Sequence, residues 1–281
     1  MKFSLIAVTT DRLHLADRLF ASLVAQTHKS FEVIFVHGKD CTTEAQALVS
    51  SYAANLDIKT VVSADNCLSR SRNLALPLVS GDIVAFPDDD CVYEPNTLLQ
   101  CVGVFSSLPQ VHVLAARMLD FGEVIAPPAT AVQELNRVSV FRHSFSTVQF
   151  HKLECVKAVG GFDEDLGVGS ATPYQSGEDT DYMLRSLKSG FCLAYAPSII
   201  VRHSTVNLRD PALPEKVKAY ARGRMRLLRK HDMPTWFIIA NIVYPLARMP
   251  VECLWWCARA ARYRWNMFRA RLAAYRQGVD A

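Results

Sequence analysis

The sequence predicts an α/β fold: a mixed, mainly parallel sheet flanked by helices, continued by a C-terminal helical extension. Three observations carry this. Apolar runs of strand length alternate with stretches of helical periodicity through the first half, the pattern of successive βαβ units. A composition of 50% hydrophobic and 21% charged residues, with 12 Gly and 13 Pro in 281, supplies a large core. It excludes disordered, collagen-like and disulfide-stapled classes. Charge is also divided along the chain. Residues 1–201 hold 15 Lys and Arg against 22 Asp and Glu, whereas residues 202–281 hold 16 against 5, so a basic tail follows an acidic body.

Residues 3–8, Phe-Ser-Leu-Ile-Ala-Val, read as the first strand. The stretch turns polar too soon for a secretory leader, so the body is expected in the cytoplasm. Residues 13–25 predict a helix with Leu15, Leu19 and Leu23 on one side, and 31–36 a second strand. A helix from 42 to about 54, a strand at 58–62, a helix at 70–79 and a strand at 82–87 continue the alternation. A further helix is expected near 96–105. Open sheets of this kind collect ligands beyond the carboxyl ends of their strands, which directs attention to the residue after each strand.

From about residue 110 the pattern is mixed, with strands at 111–118 and 146–150 and a helix at 152–159 stopped by Gly160-Gly161. A Gly, Ser and Thr-rich stretch at 167–177 is expected to act as a mobile flap. A strand at 199–202 closes a first domain of residues 1–210; residues 211–281 form the tail. The eight cysteines include no CxxC pair and read as small buried apolar residues in a reducing compartment.

The tail opens with a basic helix at 215–230, followed by apolar and aromatic stretches at 236–246 and 251–261. Pro245, Arg248 and Pro250 interrupt them, and neither reaches the roughly 20 apolar residues that cross a bilayer. Trp236, Trp255, Trp256 and Trp265 beside Arg259, Arg262, Arg264, Arg269 and Arg271 predict a helical hairpin lying in an anionic membrane surface. Packing on the body or in a homodimer is the competing use of these faces. The aliphatic pairs Ile238-Ile239 and Ile242-Val243 favour lipid over nucleic acid.

Three segments carry chemistry. Pro87-Asp88-Asp89-Asp90 follows an apolar strand directly. Adjacent carboxylates repel unless solvated or neutralised, and a divalent cation such as Mg²⁺ or Mn²⁺ between carboxylates and a substrate phosphate supplies that neutralisation. The ordinary alternative is an acidic helix cap. Gly177-Glu178-Asp179-Thr180-Asp181 begins a helix whose dipole favours acids, yet a carboxylate near a second acidic site also suits a general base acting on a hydroxyl. Asn66-Cys67-Leu68-Ser69-Arg70-Ser71-Arg72-Asn73 opens a helix where Arg70 and Arg72 can meet phosphate.

Taken in order, these segments resemble a known family. Thr9-Thr10, Ser69-Arg70-Ser71-Arg72-Asn73, Ser80-Gly81-Asp82 leading into Phe86-Pro87-Asp88-Asp89-Asp90, Gly160-Gly161-Phe162-Asp163-Glu164 and Gly177-Glu178-Asp179-Thr180-Asp181 look like the inverting glycosyltransferases of family 2, which have the GT-A fold. The resemblance covers roughly residues 3–205. It implies that Asp88 lies near the nucleotide ribose, and that Asp88 and Asp90 hold Mn²⁺ or Mg²⁺ on the donor diphosphate, with His203 as a further ligand. It also implies that Thr9, Arg12 and Arg72 bind the donor nucleotide, that Asp179 is the catalytic base, and that Asp163 and Glu178 face the acceptor sugar. The acceptor would be a lipid-linked glycan or polysaccharide at the inner face of the cell membrane.

Where most relatives carry an Asp-Asp-Gly-Ser-like turn that reads the base, this chain has Val36-His37-Gly38-Lys39-Asp40. Asp40 is the base-reading candidate, uridine the expected base and deoxythymidine its competitor. A nucleotidyltransferase would want a basic phosphate loop after the first strand, and none stands at 8–13. A non-catalytic scaffold on a transferase fold is disfavoured by the intact acidic segments.

Overall fold

The computed structural model describes residues 1–123, 131–204, 206–255 and 258–277. Trp256 and Cys257 of the expected hairpin lie outside the described residues. The chain divides into two compact units, one of residues 1–162 and 179–205 and one of residues 163–178 and 206–281. Residues 163–178, expected within the first domain, thus group with the tail.

The first unit begins with β1 (Phe3–Thr9), α1 (Leu13–Val24), β2 (Phe31–Gly38), α2 (Thr42–Tyr52), β3 (Ile58–Ser63), α3 (Leu68–Ala75) and β4 (Ile83–Ala85). It continues with β5 (Val92–Tyr93), α4 (Thr97–Ser107), β6 (Val111–Leu119), β7 (Gln133–Leu135), β8 (Gln149–Lys152), α5 (Leu153–Val159), α6 (Glu178–Lys188) and β9 (Cys192–Arg202). The strands form one sheet in the order β3-β2-β1-β4-β8-β6-β9-β5, with β7 also paired to β9. The four strands from β3 to β4 are parallel, and β8 runs antiparallel between β4 and β6.

Alternation along the central strands buries both faces of the sheet, as helices on both sides require. Phe3, Leu5 and Ala7 of β1 join Val33 and Phe35 of β2 beneath Leu19, Phe20 and Leu23 of α1. On the other face Ile6, Ile34, Val36 and Val84 join Phe86 with Ala75, Val156 and Tyr182 of α3, α5 and α6. Chain order places β2 and β4 on opposite sides of β1, so the crevice beyond the carboxyl ends of β1 and β4 is the ligand site expected of this topology.

Departures from the sequence reading have local causes. The strand expected at 146–150 is a 3₁₀ turn, Ser146–Val148, followed by β8. The Ser146 N–H and hydroxyl are taken by side-chain partners, which removes them from any ladder. The strand expected at 199–202 is the end of the longer β9, in which Pro197 falls where the pairing with β6 shifts register after Ala116. The first unit's described cysteines are free, five buried and Cys192 partly so.

A buried acid fixes the edge of the parallel half. Glu32 accepts hydrogen bonds from Ser4 Oγ at 2.6 Å, Lys59 Nζ at 2.8 Å and the Ser80 N–H at 2.8 Å. Burial alone would raise its pKa, but these donors overcome that and hold it at about 2.

The second unit contains α7 (Leu213–Lys230), α8 (Thr235–Trp255) and α9 (Ala258–Gln277), with α9 packed on both others. α8 is continuous through Pro245 and Pro250, which interrupt its apolar run without ending the helix. Asn241 of α8 joins the three helices. Its Oδ1 accepts from Arg224 Nε and Nη2 at 3.1 and 2.9 Å, and its carbonyl accepts from Arg271 Nη1 at 2.5 Å. Burial lowers the pKa of Arg224 to about 9 and of Arg271 to about 10. Arg271, expected at a lipid surface, therefore points into this bundle. A stripe on α8 remains uncovered within the unit: Trp236, Ile239, Val243 and Tyr244 are 61%, 52%, 44% and 54% exposed. Their spacing of three, seven and eight residues places them on one helical face. Among the described residues no helix is long and apolar enough to cross a membrane.

The expected flap is a hydrogen-bonded loop seated on α7. Gln175 Nε2 donates to Ser170 O and Thr172 O at 3.0 and 2.6 Å, and Ser176 Oγ donates to Tyr220 O at 2.9 Å. Gly223 permits this approach, since a Cβ there would lie 2.3 Å from Ser176 O.

Glu32→Ala should lower the unfolding free energy by about 2 kcal/mol, the cost of stranding buried donors. A group with a depressed folded pKa stabilises above its unfolded value and loses that contribution as pH falls. The wild-type advantage should therefore be complete above about pH 4.5 and shrink toward pH 2. Urea denaturation of both proteins across that range measures it.

Candidate active site

Phe86 and Pro87 carry the chain from β4 into the acidic triplet, and an isolated bridge pairs Asp88 with Val8 beside β1. The chain turns at Asp89 and Asp90, closed by the Cys91 N–H donating to Asp88 O at 3.1 Å.

Arg72 of α3 is 1% exposed and lies between two carboxylates. Its Nη2 donates to Asp88 Oδ1 at 3.0 Å and to Ser146 Oγ at 2.7 Å, and its Nη1 donates to Asp179 Oδ1 at 3.0 Å. The Ser146 N–H donates to Asp179 Oδ2 at 3.0 Å, fixing the second oxygen of that carboxylate. The guanidinium also lies 5.1 Å from the centre of the Phe162 ring. Burial pushes the Asp88 pKa up, as do Asp179 and Asp90; Arg72 and His203 oppose them without cancelling the rise.

Asp89 is buried and turned toward the first loop. It accepts from Thr9 Oγ1 at 2.7 Å and Arg12 Nη2 at 2.5 Å, and Thr9 Oγ1 accepts the Arg12 N–H at 3.1 Å. Burial raises its pKa to about 6 against the pull of Thr9 and Arg12. The structure thus brings Thr9 and Arg12 together through a carboxylate that the sequence reading did not single out.

His203, just beyond β9, completes the other side. Its Nε2 lies 3.0 Å from Asp90 Oδ1 and 3.8 Å from Asp88 Oδ2. Its Nδ1 lies 2.7 Å from Ser204 O, a contact that assigns the proton to Nδ1 and leaves Nε2 as a lone pair in the neutral ring. Burial lowers its proton affinity, but Asp90 and Asp88 outweigh this and bring its pKa to about 8 without a cation. Burial would raise the Asp90 pKa, but its contact with His203 and the charge of Arg12 hold it below the usual carboxylate value. Asp88, Asp90 and His203 offer one ligand atom each, all within 4.8 Å of one another. When the His203 ring is neutral, its Nε2 lone pair faces the buried Asp90 Oδ1, the arrangement two ligands of one cation adopt. Two carboxylates and an imidazole suit Mn²⁺ well and Mg²⁺ acceptably.

The remaining expected residues are placed differently. Asp40 is exposed in the turn after β2, with no side-chain partner among the described residues. That turn lies against the first loop, for a Cβ on Gly38 would stand 2.6 Å from Thr10 O. Asp163 and Glu178 belong to the second unit, where Asp163 pairs with Lys230 Nζ at 2.6 Å and Glu178 is buried.

Residues 4–143, about half the chain, match the family described as Glycosyl transferase family 2. An uncharacterized glycosyltransferase of Nostoc sp. is 28% identical over 120 residues, which is 41% of this chain and 36% of that protein. The chain spans about a third of the length of the curated relatives it matches first. A mannosyltransferase of Pyrobaculum calidifontis in complex with GDP-Man and Mn²⁺ shares the fold, with a TM-score of 0.69 and 17% identity over 99% of this chain and 86% of that one. The S. aureus protein TarS, residues 1–349 in complex with UDP-GlcNAc, gives a TM-score of 0.61 and 17% identity over 99% and 91%. The chain carries a family 2 glycosyltransferase domain with the GT-A fold.

Arg72→Met should cost about 3 kcal/mol of stability by stranding two partly buried carboxylates. Arg72→Lys should recover only part of it, because one ammonium cannot span both as the planar fork does. Chemical denaturation of the three proteins checks the order; equal stability of wild type and methionine variant would contradict it.

Proposed function

We propose that the chain is a metal-dependent inverting glycosyltransferase, moving a sugar from a nucleotide-diphosphate donor, a UDP-sugar first, to a hydroxyl of a lipid-linked or polysaccharide acceptor at the inner membrane face. The observation that carries this is the Arg72 bridge. One buried guanidinium joins Asp88, a member of the cation-competent group, to Asp179 at the start of α6. The UDP-GlcNAc of TarS and the GDP-Man and Mn²⁺ of the mannosyltransferase support a nucleotide-sugar donor.

In this reading Asp88, Asp90 and His203 hold Mn²⁺ or Mg²⁺, which when bound offsets charge on the donor diphosphate. Thr9 and Arg12, set by Asp89, and Arg72 bind the nucleotide, with Asp40 nearest to the base-reading role. Arg72 adds positive charge where the leaving group becomes more anionic. Asp179 accepts the acceptor's hydroxyl proton through a carboxylate oxygen while that hydroxyl oxygen attacks the anomeric carbon opposite the leaving diphosphate. One displacement follows, with inversion and no covalent enzyme intermediate. Asp163 and Glu178 are assigned to the acceptor side.

Membrane association is supported by the uncovered α8 stripe and by the 16 Lys and Arg of residues 202–281.

Calorimetric titration with UDP, dTDP and GDP, with and without Mn²⁺, should show one nucleotide whose binding needs the ion and weakens at least about tenfold in Asp90→Ala. Absence of binding by all three would remove the donor site. Asp179→Asn should keep that binding and lose about 10²- to 10⁴-fold in turnover.

A further inference from the structure

Among the arginines of the helical unit, some are committed inward: Arg224 and Arg271 bind Asn241, and Arg229 Nη2 donates to Tyr275 O at 2.7 Å. A second set is not. Two neighbouring grooves of about 630 and 370 Å³ lie along α7 and α9 and share Pro214, Val217 and Asn266 as common wall. They are lined by Arg209, Arg222, Arg259, Arg262, Arg269 and Arg276. None of these six has a carboxylate within ion-pair distance among the described residues. Lys218 of the larger groove pairs with Glu215, and Asp210, the acid of the lining, pairs with Lys216 at 2.8 Å.

Three guanidinium groups without an acidic partner among the described residues line each groove, Arg222, Arg269 and Arg276 the larger one, and a multivalent anion suits such a cluster of like charge. Arginine suits phosphate in particular, since its planar fork bonds two oxygens at once. Between the cations the walls are apolar, from Leu213, Val217, Leu272, Ala270 and Ala273. An oligonucleotide would want aromatic platforms, and among the described residues Tyr263 is the lone aromatic of the two linings. A cationic rim over an aliphatic floor instead suits a phosphate joined to hydrocarbon.

We propose that the α7–α9 groove binds the phosphomonoester or diphosphate head group of a membrane lipid, with the first methylenes of the lipid on the aliphatic floor. This deepens the lipid-linked acceptor reading and rests on it. The exposed α8 stripe would give membrane affinity in general, whereas the groove selects lipids whose phosphate is terminal and doubly charged.

The full chain is floated with phosphatidylcholine vesicles containing phosphatidic acid or phosphatidylglycerol, matched for surface charge. Wild type should bind the phosphatidic acid vesicles about tenfold or more tightly, a margin of one or two extra charge-assisted contacts. Arg222→Ala with Arg269→Ala should abolish the preference. Arg222→Lys with Arg269→Lys should retain part of it, and Lys157→Ala with Lys188→Ala on the other unit should leave it intact. Equal binding of both vesicles by wild type, or a preference surviving in the alanine variant, overturns the proposal. Tight binding of inorganic pyrophosphate alone without a vesicle preference assigns the groove to free anions and also overturns it. Nucleotide binding on the same variants keeps the tests separate: it should be unchanged, and its absence in wild type would be a failure of the transferase reading instead.

Discussion

The Arg72 guanidinium is the contact through which the active-site half of the structure is tied together. It is buried in the last turn of α3 and shared by Asp88, after β4, and Asp179, at the start of α6. A buried cation needs such partners, and each carboxylate needs a cation, so none of the three can be satisfied alone. The bridge therefore fixes α6 against the carboxyl ends of the parallel strands. Ser146 locks the geometry by binding both Arg72 and Asp179, at the expense of a strand residue.

The acidic triplet solves its own repulsion by division. Asp88 and Asp90 share one side with His203, where a cation is the natural counter-charge. Asp89 turns toward the first loop, where Thr9 and Arg12 satisfy it, and Arg12 also lies 3.7 Å from Asp90. Three consecutive acids thus hold two different parts of the site: a metal-competent cluster and the first loop. The same economy appears in the helical unit, where α7 holds both the 163–178 loop and the bundle through Asn241.

Much of this was legible in the sequence where interactions are local. Strand and helix periods located the parallel half, and the position of the triplet after an apolar strand located the site. Asp89's direction is set by a turn and by Thr9 and Arg12, some eighty residues earlier, so the three residues alone did not announce it. Other features depend on contacts distant in sequence. Ser146 reads as part of a strand because nothing beside it announces Arg72 or Asp179. The early part of β9 was hidden by Pro197, whose effect is absorbed by a register shift that only its partner β6 reveals. The loop at 167–177 looked mobile from its composition, while the groove accommodating it is made by Gly223 some fifty residues on. Arg271 looked like a surface cation because its partner, the Asn241 carbonyl, lies on another helix.

The most direct test of the account is a crystal structure with Mn²⁺ and the nucleoside diphosphate that binds, the ion located by its anomalous scattering. One Mn²⁺ should be held by Asp90 and His203 Nε2 beside Asp88, with Arg72 still between Asp88 and Asp179. An ion bound away from Asp90 and His203, or a nucleotide outside the crevice at the ends of β1 and β4, would contradict it.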